Sequence, residues 1–584
     1  MGKVLALINI ATKDLATAEI QESLLNAEIN GKTHMEKFLN NIIAEDTGKI
    51  IALEFYNSIE RNNSKTFQHL YMKTVRSKEK NEKFAYKADR KTLVRIITAK
   101  HLGLDVDLGT ILCSEIIPVP LSLADINGNL RSGDKSNLQK RLLEDIDCRE
   151  SINLDNKPSC LIIDGQALVC SIGKAKECEN FGHLADKFRN SVLSQGASYA
   201  RIDVVFDRYR ENSIKESTRD RRALKQKAIR KLIDSRSVTL PHDWANFLAS
   251  SENKSDYANF LSTEIKRQSQ YDKEIVTAGG FKNELEVWAS RDIENISELC
   301  STQEEADTRL ILHAINCNFK YIVVSSRDTD VLILLVSHFH RMNCIELWMM
   351  CGTQKKPKYI PVHEIVKNLS SNTLKALIPF HTLTGCDTTS YLAQHTKWTA
   401  WEHLKSDLGS GLIQNLGEDC FGDLDLTRIE KVFCILYGMP KEDEINKVRL
   451  HLFLKNKIPE ALPPTKDALY LHIKRAHYQS LIWKKAHFPD PSLPEALAFG
   501  WKLTETGRLK PILMTKDAIP DDELKFTSCS CTTGCNTNRC GCRKLKLTCS
   551  INCKCADDNV VCCTNTPDVN ENEDEVDDYL NIMP

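Results

Sequence analysis

Residues 321–336 read YIVVSSRDTDVLILLV. Tyr321 to Val324 is an aromatic and β-branched run of the kind that forms a buried strand. Two carboxylates follow one residue apart, Asp328 and Asp330, and then six apolar residues, Val331 to Val336. An unpaired carboxylate is costly away from water, so a segment that only packs a core has no reason to carry two between its apolar halves. In open α/β sheets, ligands collect at the carboxyl ends of strands, which is where these aspartates fall. Taken alone, the stretch reads as a polar strand-to-helix turn or as part of a site.

The pattern repeats along the chain. SCLIID, 159–164, is an apolar strand ending in Asp164, and RIDVVFD, 201–207, ends in Asp207. EEAD contributes Glu304, Glu305 and Asp307 at the start of a helical pattern whose apolar face is Ala306, Leu310, Ala314 and Cys317. Ser301 or Thr302 is its expected cap, and Glu304 shares a helix face with Asp307 better than Glu305 does. Asp387 stands beside Gly385 in the otherwise apolar LTGCD stretch. Strands alternating with helices predict an α/β fold, a doubly wound and mostly parallel sheet that brings these strand ends to one edge. So many carboxylates crowd together only around cations, and Mg²⁺ or Mn²⁺ suits all-oxygen ligands. Two such ions, ~4 Å apart, stabilise both the attacking and the leaving oxygen of a phosphodiester displacement. After Asp207 a strongly basic run begins, with Lys215, Arg219, Arg221, Arg222, Lys225, Lys227, Arg230 and Lys231, an electrostatic footprint for a phosphate backbone.

The remainder bounds these readings. A chain of 584 residues suggests about three or four domains, and 42% hydrophobic with 27% charged residues is a globular composition. A net charge of −1 says nothing about partners, so only local patches do. No apolar run approaches the ~20 residues of a membrane helix, and the N-terminus lacks a cleavage region, which leads us to expect an intracellular protein without a membrane partner. Residues 1–150 read as a mostly helical accessory region without chemistry, 155–405 as the α/β domain with a helical insertion at 210–300, and 406–488 as a helical extension. A proline-punctuated linker (489–526), a cysteine module (527–564) and an acidic, disordered tail (565–584) follow.

Of 22 cysteines, ten lie between Cys529 and Cys563. In a reducing compartment such crowding points to metal. Nine of them, Cys529, Cys531, Cys535, Cys540, Cys542, Cys549, Cys553, Cys555 and Cys562, follow the spacing C-x-C-x3-C-x4-C-x-C-x6-C-x3-C-x-C-x6-C, with Cys563 extra. Structural zinc is four-coordinate, so nine thiolates serve about three Zn²⁺ ions if three of them bridge. Arg539, Arg543, Lys544 and Lys546 lie among the ligands, placed to meet DNA phosphates or a minor groove.

In order and local sequence, LIIDG, VVFDRY with KESTRDRR, EEAD, SSRDTD and LTGCD resemble the motifs of the flap endonuclease/XPG branch of PIN-like nucleases. The resemblance implies metal binding by Asp164, Asp207, Glu305, Asp307, Asp328, Asp330 and Asp387, with Glu304 as the alternative glutamate, and phosphate steering by Lys215 with Arg221 or Arg222. The family's N-terminal glycine motif is absent, and no glycine-rich helix-hairpin-helix follows Asp387. DTDV also fits the signature of haloacid dehalogenase-type phosphatases, with Asp328 as nucleophile, but that reading leaves Asp164, Asp207 and the basic run without a role. The cysteine spacing resembles the CXC domain of tesmin/TSO1-like DNA binders, in one copy and with Arg539 where those proteins have an aromatic residue. The combination is similar to a group of transposon-associated animal proteins. These resemblances imply a nuclear protein whose CXC module targets DNA, with chromatin proteins as further partners, and whose PIN-like domain is a divalent-metal-dependent phosphodiesterase. The alternative is a catalytically inactive, transposon-derived DNA- or chromatin-binding protein.

Overall fold

The computed structural model describes Lys32, Met35 and residues 107–565, except 118, 126, 155–156, 211–212, 216–228, 269–270, 354–355, 405–406, 456, 458, 506, 519–528, 532–534, 545–548, 550–552 and 557–562. Arg221, Arg222, Lys546, Cys562, the acidic tail and the patterns expected in the first 106 residues lie outside the described residues. The chain divides into two compact units, Met1–Ala85 and Tyr86–Pro584, and the elements below belong to the second.

A seven-stranded sheet organises this unit. Its strands are β1 (Ser159–Asp164), β2 (Arg201–Val205), β3 (Glu274–Ala278), β4 (Val287–Ala289), β5 (Tyr321–Ser325), β6 (Glu346–Thr353) and β7 (Lys356–Pro361). Their spatial order is β4-β3-β2-β1-β5-β6-β7. The five inner strands run parallel, and β4 and β7 close the edges antiparallel. This is the mostly parallel, doubly wound α/β fold expected. The chain leaves β1 towards β2 and β3, then crosses back to β5 on the other side of β1. The switch point lies between β1 and β5, where open sheets of this type form a crevice.

Both faces of the sheet are covered, which explains the near-continuous apolar strands. Cys160 and Ile162 of β1 stand in register with Ile322 and Val324 of β5 and join the core on one face. Leu161, Ile163 and Val323 point to the other face, against Phe181 and Phe188 of a helix spanning Phe181–Gln195. The helices that matter for the site are α1 (Ser136–Leu142), α2 (Gly165–Ile172), α3 (Ala306–Asn316), α4 (Thr329–His338), α5 (Ser371–Leu383) and α6 (Lys466–Lys484). In α4 the run Val331–Val336 is 0–1% exposed throughout. A helix apolar on every side belongs inside, and α4 is packed against α1, α3 and α5. Burying each of its large aliphatic side chains contributes roughly 1.5–3 kcal/mol. None of the described helices is long and apolar enough to cross a membrane.

Three segments differ from the expectations. The stretch 210–300 is not a helical insertion throughout, because β3 pairs with β2 inside the sheet and β4 follows it. The stretch 489–526 holds a small hairpin, Trp501–Leu503 with Leu509–Pro511, anchored where Trp501 and Leu509 bury against Tyr478 of α6. Buried Arg475 of α6 adds a bond to the Gly500 carbonyl at 3.3 Å. Residues 122–125 and 127–131 of the accessory region are stitched to the segment after α5, with Tyr391 N–H donating to Arg131 O and Ala393 N–H to Ser122 O, both at 2.9 Å.

Candidate metal centre

The site forms at the carboxyl ends of β1, β2 and β5. Asp164 ends β1 and caps α2, its Oδ1 accepting the Ala167 N–H at 2.8 Å. Asp207 lies two residues beyond β2, and its Oδ1 accepts the Ala306 N–H at 2.7 Å, tying it to the start of α3. Asp328 follows β5 and caps α4, its Oδ1 accepting the Asp330 N–H at 2.9 Å. Helix N-termini stabilise carboxylates and hold them in fixed orientation. Here the strand-to-helix junctions themselves aim the aspartates at one place.

Asp164, Asp207, Asp307, Asp328 and Asp387 line one cavity of about 860 Å³, together with Lys135 and Lys215. Oxygens of Asp307, Asp328 and Asp330 lie within 4.8 Å of one another. Glu305 and Asp330 sit behind the wall, 5% and 0% exposed. The expected cap at Ser301 or Thr302 is not used: α3 begins at Ala306, and Glu305 is its N-cap with an extended backbone. A helix-face argument for Glu304 therefore does not apply. Glu304 is not part of the cavity wall, whereas Glu305 Oε2 lies 3.1 Å from Lys215 Nζ.

Seven carboxyl groups thus meet two ammonium groups, and the electrostatics follow. Burial, then Asp207 and Asp328, pushes the Asp164 carboxyl up to about 7. Burial raises Asp307 well above the usual carboxylate range, with Asp328, Glu305 and Asp207 adding to it against Lys215. Burial and Asp330 raise Asp328. Burial works to raise Asp330 too, but Lys135 and His381 outweigh it and hold that carboxyl low. Desolvation works to lower both lysines, and their acidic neighbours outweigh it, so both stay charged. Divalent ions are the natural complement of such an all-oxygen, net-negative donor set. A phosphatase-like use of DTDV has no need of Asp164 and Asp207, which the fold brings to the same cavity.

Three participants come from places where the sequence showed no chemistry. Lys135, at the N-cap of α1, lies 2.6 Å from Asp330, 2.7 Å from Asp387 and 3.8 Å from Asp328. His381, inside α5, bonds Asp330 Oδ1 through Nε2 at 2.7 Å. Trp483 of α6 donates its indole N–H to Glu305 Oε2 at 3.2 Å and stacks on His381 with ring centroids 5.7 Å apart.

The cysteine module forms a separate cluster. The free cysteines Cys529, Cys531, Cys535, Cys540, Cys542, Cys549, Cys553, Cys555 and Cys563 pack together. Three tetrads converge: Cys529/Cys542/Cys549/Cys553, Cys529/Cys535/Cys549/Cys555 and Cys529/Cys531/Cys535/Cys540. Sulfur separations of 3.5 Å (Cys542–Cys553) to 3.9 Å (Cys529–Cys549) are far beyond a disulfide. They match the ~3.8 Å edge of a tetrahedron with Zn–S arms of ~2.3 Å. Cys529, Cys535 and Cys549 recur among the tetrads, the sharing that few thiolates and several ions require. Cys563, read as extra, joins this cluster. Arg539 and Lys544 are exposed, while Arg543 donates to the Cys535 carbonyl at 3.2 Å.

The chain matches no protein-family model and no curated protein. Among solved structures it is similar to a bacteriophage T5 flap endonuclease in a pseudo-enzyme–product complex with DNA and metal ions, at 12% identity, over 52% of this chain and 99% of that one, with a TM-score of 0.27. It is also similar to T5 5′-exonuclease with bound zinc ions, at 13% identity, over 51% and 97% of the two chains, with a TM-score of 0.28.

Proposed function

We propose that the protein is a divalent-metal-dependent phosphodiesterase of the PIN-like, flap endonuclease type that acts on DNA in the nucleus, where its cysteine module binds zinc and DNA. One observation carries the catalytic half: Asp164, Asp207, Asp307, Asp328 and Asp387, from five separated stretches, line a single cavity at the sheet's switch point. When bound by these carboxylates, a hard cation supplies Lewis-acid polarisation of a phosphoryl oxygen and a water acidified towards neutral pH. The chain does the rest. Asp164, Asp207 and Asp328 each fix one oxygen on a backbone amide, which orients the carboxyl group towards the cavity. Lys215, held by Glu305 and Asp307 where the basic run begins, presents its ammonium to a phosphate entering the cavity. Trp483 fixes Glu305 from behind.

The test is cleavage of flap, single-stranded and duplex DNA with Mg²⁺ or Mn²⁺, comparing the wild type with Asp307→Asn combined with Asp328→Asn. Activity in the wild type and its loss in the double variant is the expected result. Equal activity in both places the chemistry elsewhere. No activity in either, with DNA binding retained, favours the non-cutting DNA-binding protein.

A further inference from the structure

Lys135 reaches the centre from outside every motif that supplies its carboxylates. Its ammonium lies 2.6 Å from Asp330 Oδ2, 2.7 Å from Asp387 Oδ1 and 3.8 Å from Asp328 Oδ1. An ammonium has three N–H donors and no acceptor, so three carboxylates match its donor set. The two short contacts are those of charge-assisted bonds. The mount is firm. Lys135 opens α1, which buries Leu138 and Leu142 in the core beside α4. Two residues earlier the backbone lies flat on Tyr391, where a Cβ at Gly133 would stand 2.4 Å from the ring. Arg131 anchors the same segment, its Nε donating to Leu121 O at 2.6 Å.

We propose that Lys135 is a built-in counterion that replaces one of the two divalent ions, so that the centre binds a single ion. This rests on the metal-site reading above. Asp330 is fully buried, with one oxygen engaged by His381 and the other by Lys135, and Asp387 is drawn to the same ammonium. The ion is left to Asp307 and Asp328, with Asp164 and Asp207 on the same cavity wall. Lys135 neutralises charge among Asp328, Asp330 and Asp387 without asking for an octahedral oxygen shell, and its charge does not dissociate with falling ion concentration. For a second ion to sit among those three carboxylates, the ammonium must leave Asp330, whose other side-chain partner among the described residues is His381.

Electron paramagnetic resonance of Mn²⁺ bound to the full-length, zinc-loaded protein decides this. Two Mn²⁺ ions ~4 Å apart couple and give a multiline spectrum, whereas one gives an isolated signal. The ions of the centre are those lost in Asp307→Asn. We expect one isolated Mn²⁺ per chain in the wild type and a coupled pair in Lys135→Met, which keeps the length of the side chain without its charge. A coupled pair in the wild type overturns the proposal, and this outcome does not depend on how any variant folds. A wild type and a Lys135→Met variant with the same single Mn²⁺ also overturn it, because the lysine is then not what excludes the second ion. Absence of any Asp307-dependent Mn²⁺ from the wild type sinks the metal centre itself, a failure distinguishable from that of Lys135.

Discussion

Asp330 has both oxygens engaged, one by His381 Nε2 at 2.7 Å and the other by Lys135 Nζ at 2.6 Å, and no exposure to solvent. Burial pushes His381 down to about 4, so at neutral pH the imidazole is uncharged and donates its Nε2–H to the carboxylate. Asp330 in turn holds Lys135 beside Asp328, so His381 orients the centre through the lysine, and outer partners of a metal site are worth about 10–100-fold in metal affinity. His381→Ala is therefore expected to weaken Mn²⁺ binding by about that factor in a calorimetric titration. His381→Gln, which keeps a donor, recovers part of the loss. An unchanged affinity in both variants would mean that His381 only packs against Trp483. At this scale the sequence was legible wherever a side chain sits at the end of its own strand. Asp164, Asp207 and Asp328 are adjacent to apolar runs that demand a strand, so their position follows from local pattern. Lys135, His381 and Trp483 reach the site through packing between distant elements. Nothing within a few residues of them distinguishes them from a helix cap, a core histidine or a core tryptophan.

Between residue and molecule lie the elements, and the cysteine module is the one whose cohesion rests least on apolar burial. Among its described residues the helical parts are single turns, Gly541–Lys544 and Lys554–Ala556, and the core is made of sulfur. Small domains with so little apolar core fold on their metal. About three zinc ions per chain are expected by elemental analysis, and zero or one would reject the shared-thiolate cluster. Their removal by a strong chelator should abolish the DNA binding proposed for the module while the α/β unit keeps its melting transition. Spacing alone made this element readable, because metal ligation fixes cysteines at short, regular intervals. The strand β3 was harder to see. EIVTA is five residues long in a polar setting, and only pairing with β2 reveals it as an inner strand. The hairpin at Trp501–Pro511 was hidden for a similar reason, since its stability comes from two side chains buried on α6 rather than from a pattern of its own.

Across the molecule, α6 ties the late part of the chain to α4 and α5, and it does so with buried histidines. His338 Nε2 bonds the Trp483 carbonyl, His472 Nε2 bonds the Leu383 carbonyl, and His477 Nδ1 accepts the Gly417 N–H. Burial pushes the three down to about 4, about 3 and about 4. Their folded values lie below the unfolded value of ~6.5, so the unfolded chain binds more protons as acidity rises. This contribution is fully present above ~6.5 and is lost as pH falls through the folded values, by up to one proton for each histidine. Between pH 7 and pH 4 these histidines lower the melting temperature while the raised carboxyls of the centre work the other way, and His472→Gln, which keeps a donor for Leu383, should remove its share of the histidine loss and change the pH slope. An identical pH slope in the variant would show that His472 is protonated in the folded state. The overall architecture was legible because strand-and-helix alternation leaves few topologies open. The contribution of residues 127–135 was not, because their place is set by the pairing of Ser122 and Arg131 with Ala393 and Tyr391. Trp483 carries one more consequence. It follows its partner Glu305 by 178 positions, so at translation rates of about 5–20 residues per second the ribosome needs roughly 10–35 s to deliver it. Through that interval a growing chain already holds β1 and β2 with their aspartates, and through most of it β5 as well. The centre reaches its finished form only when the last large helix docks, which delays its assembly until nearly the whole α/β unit has been made.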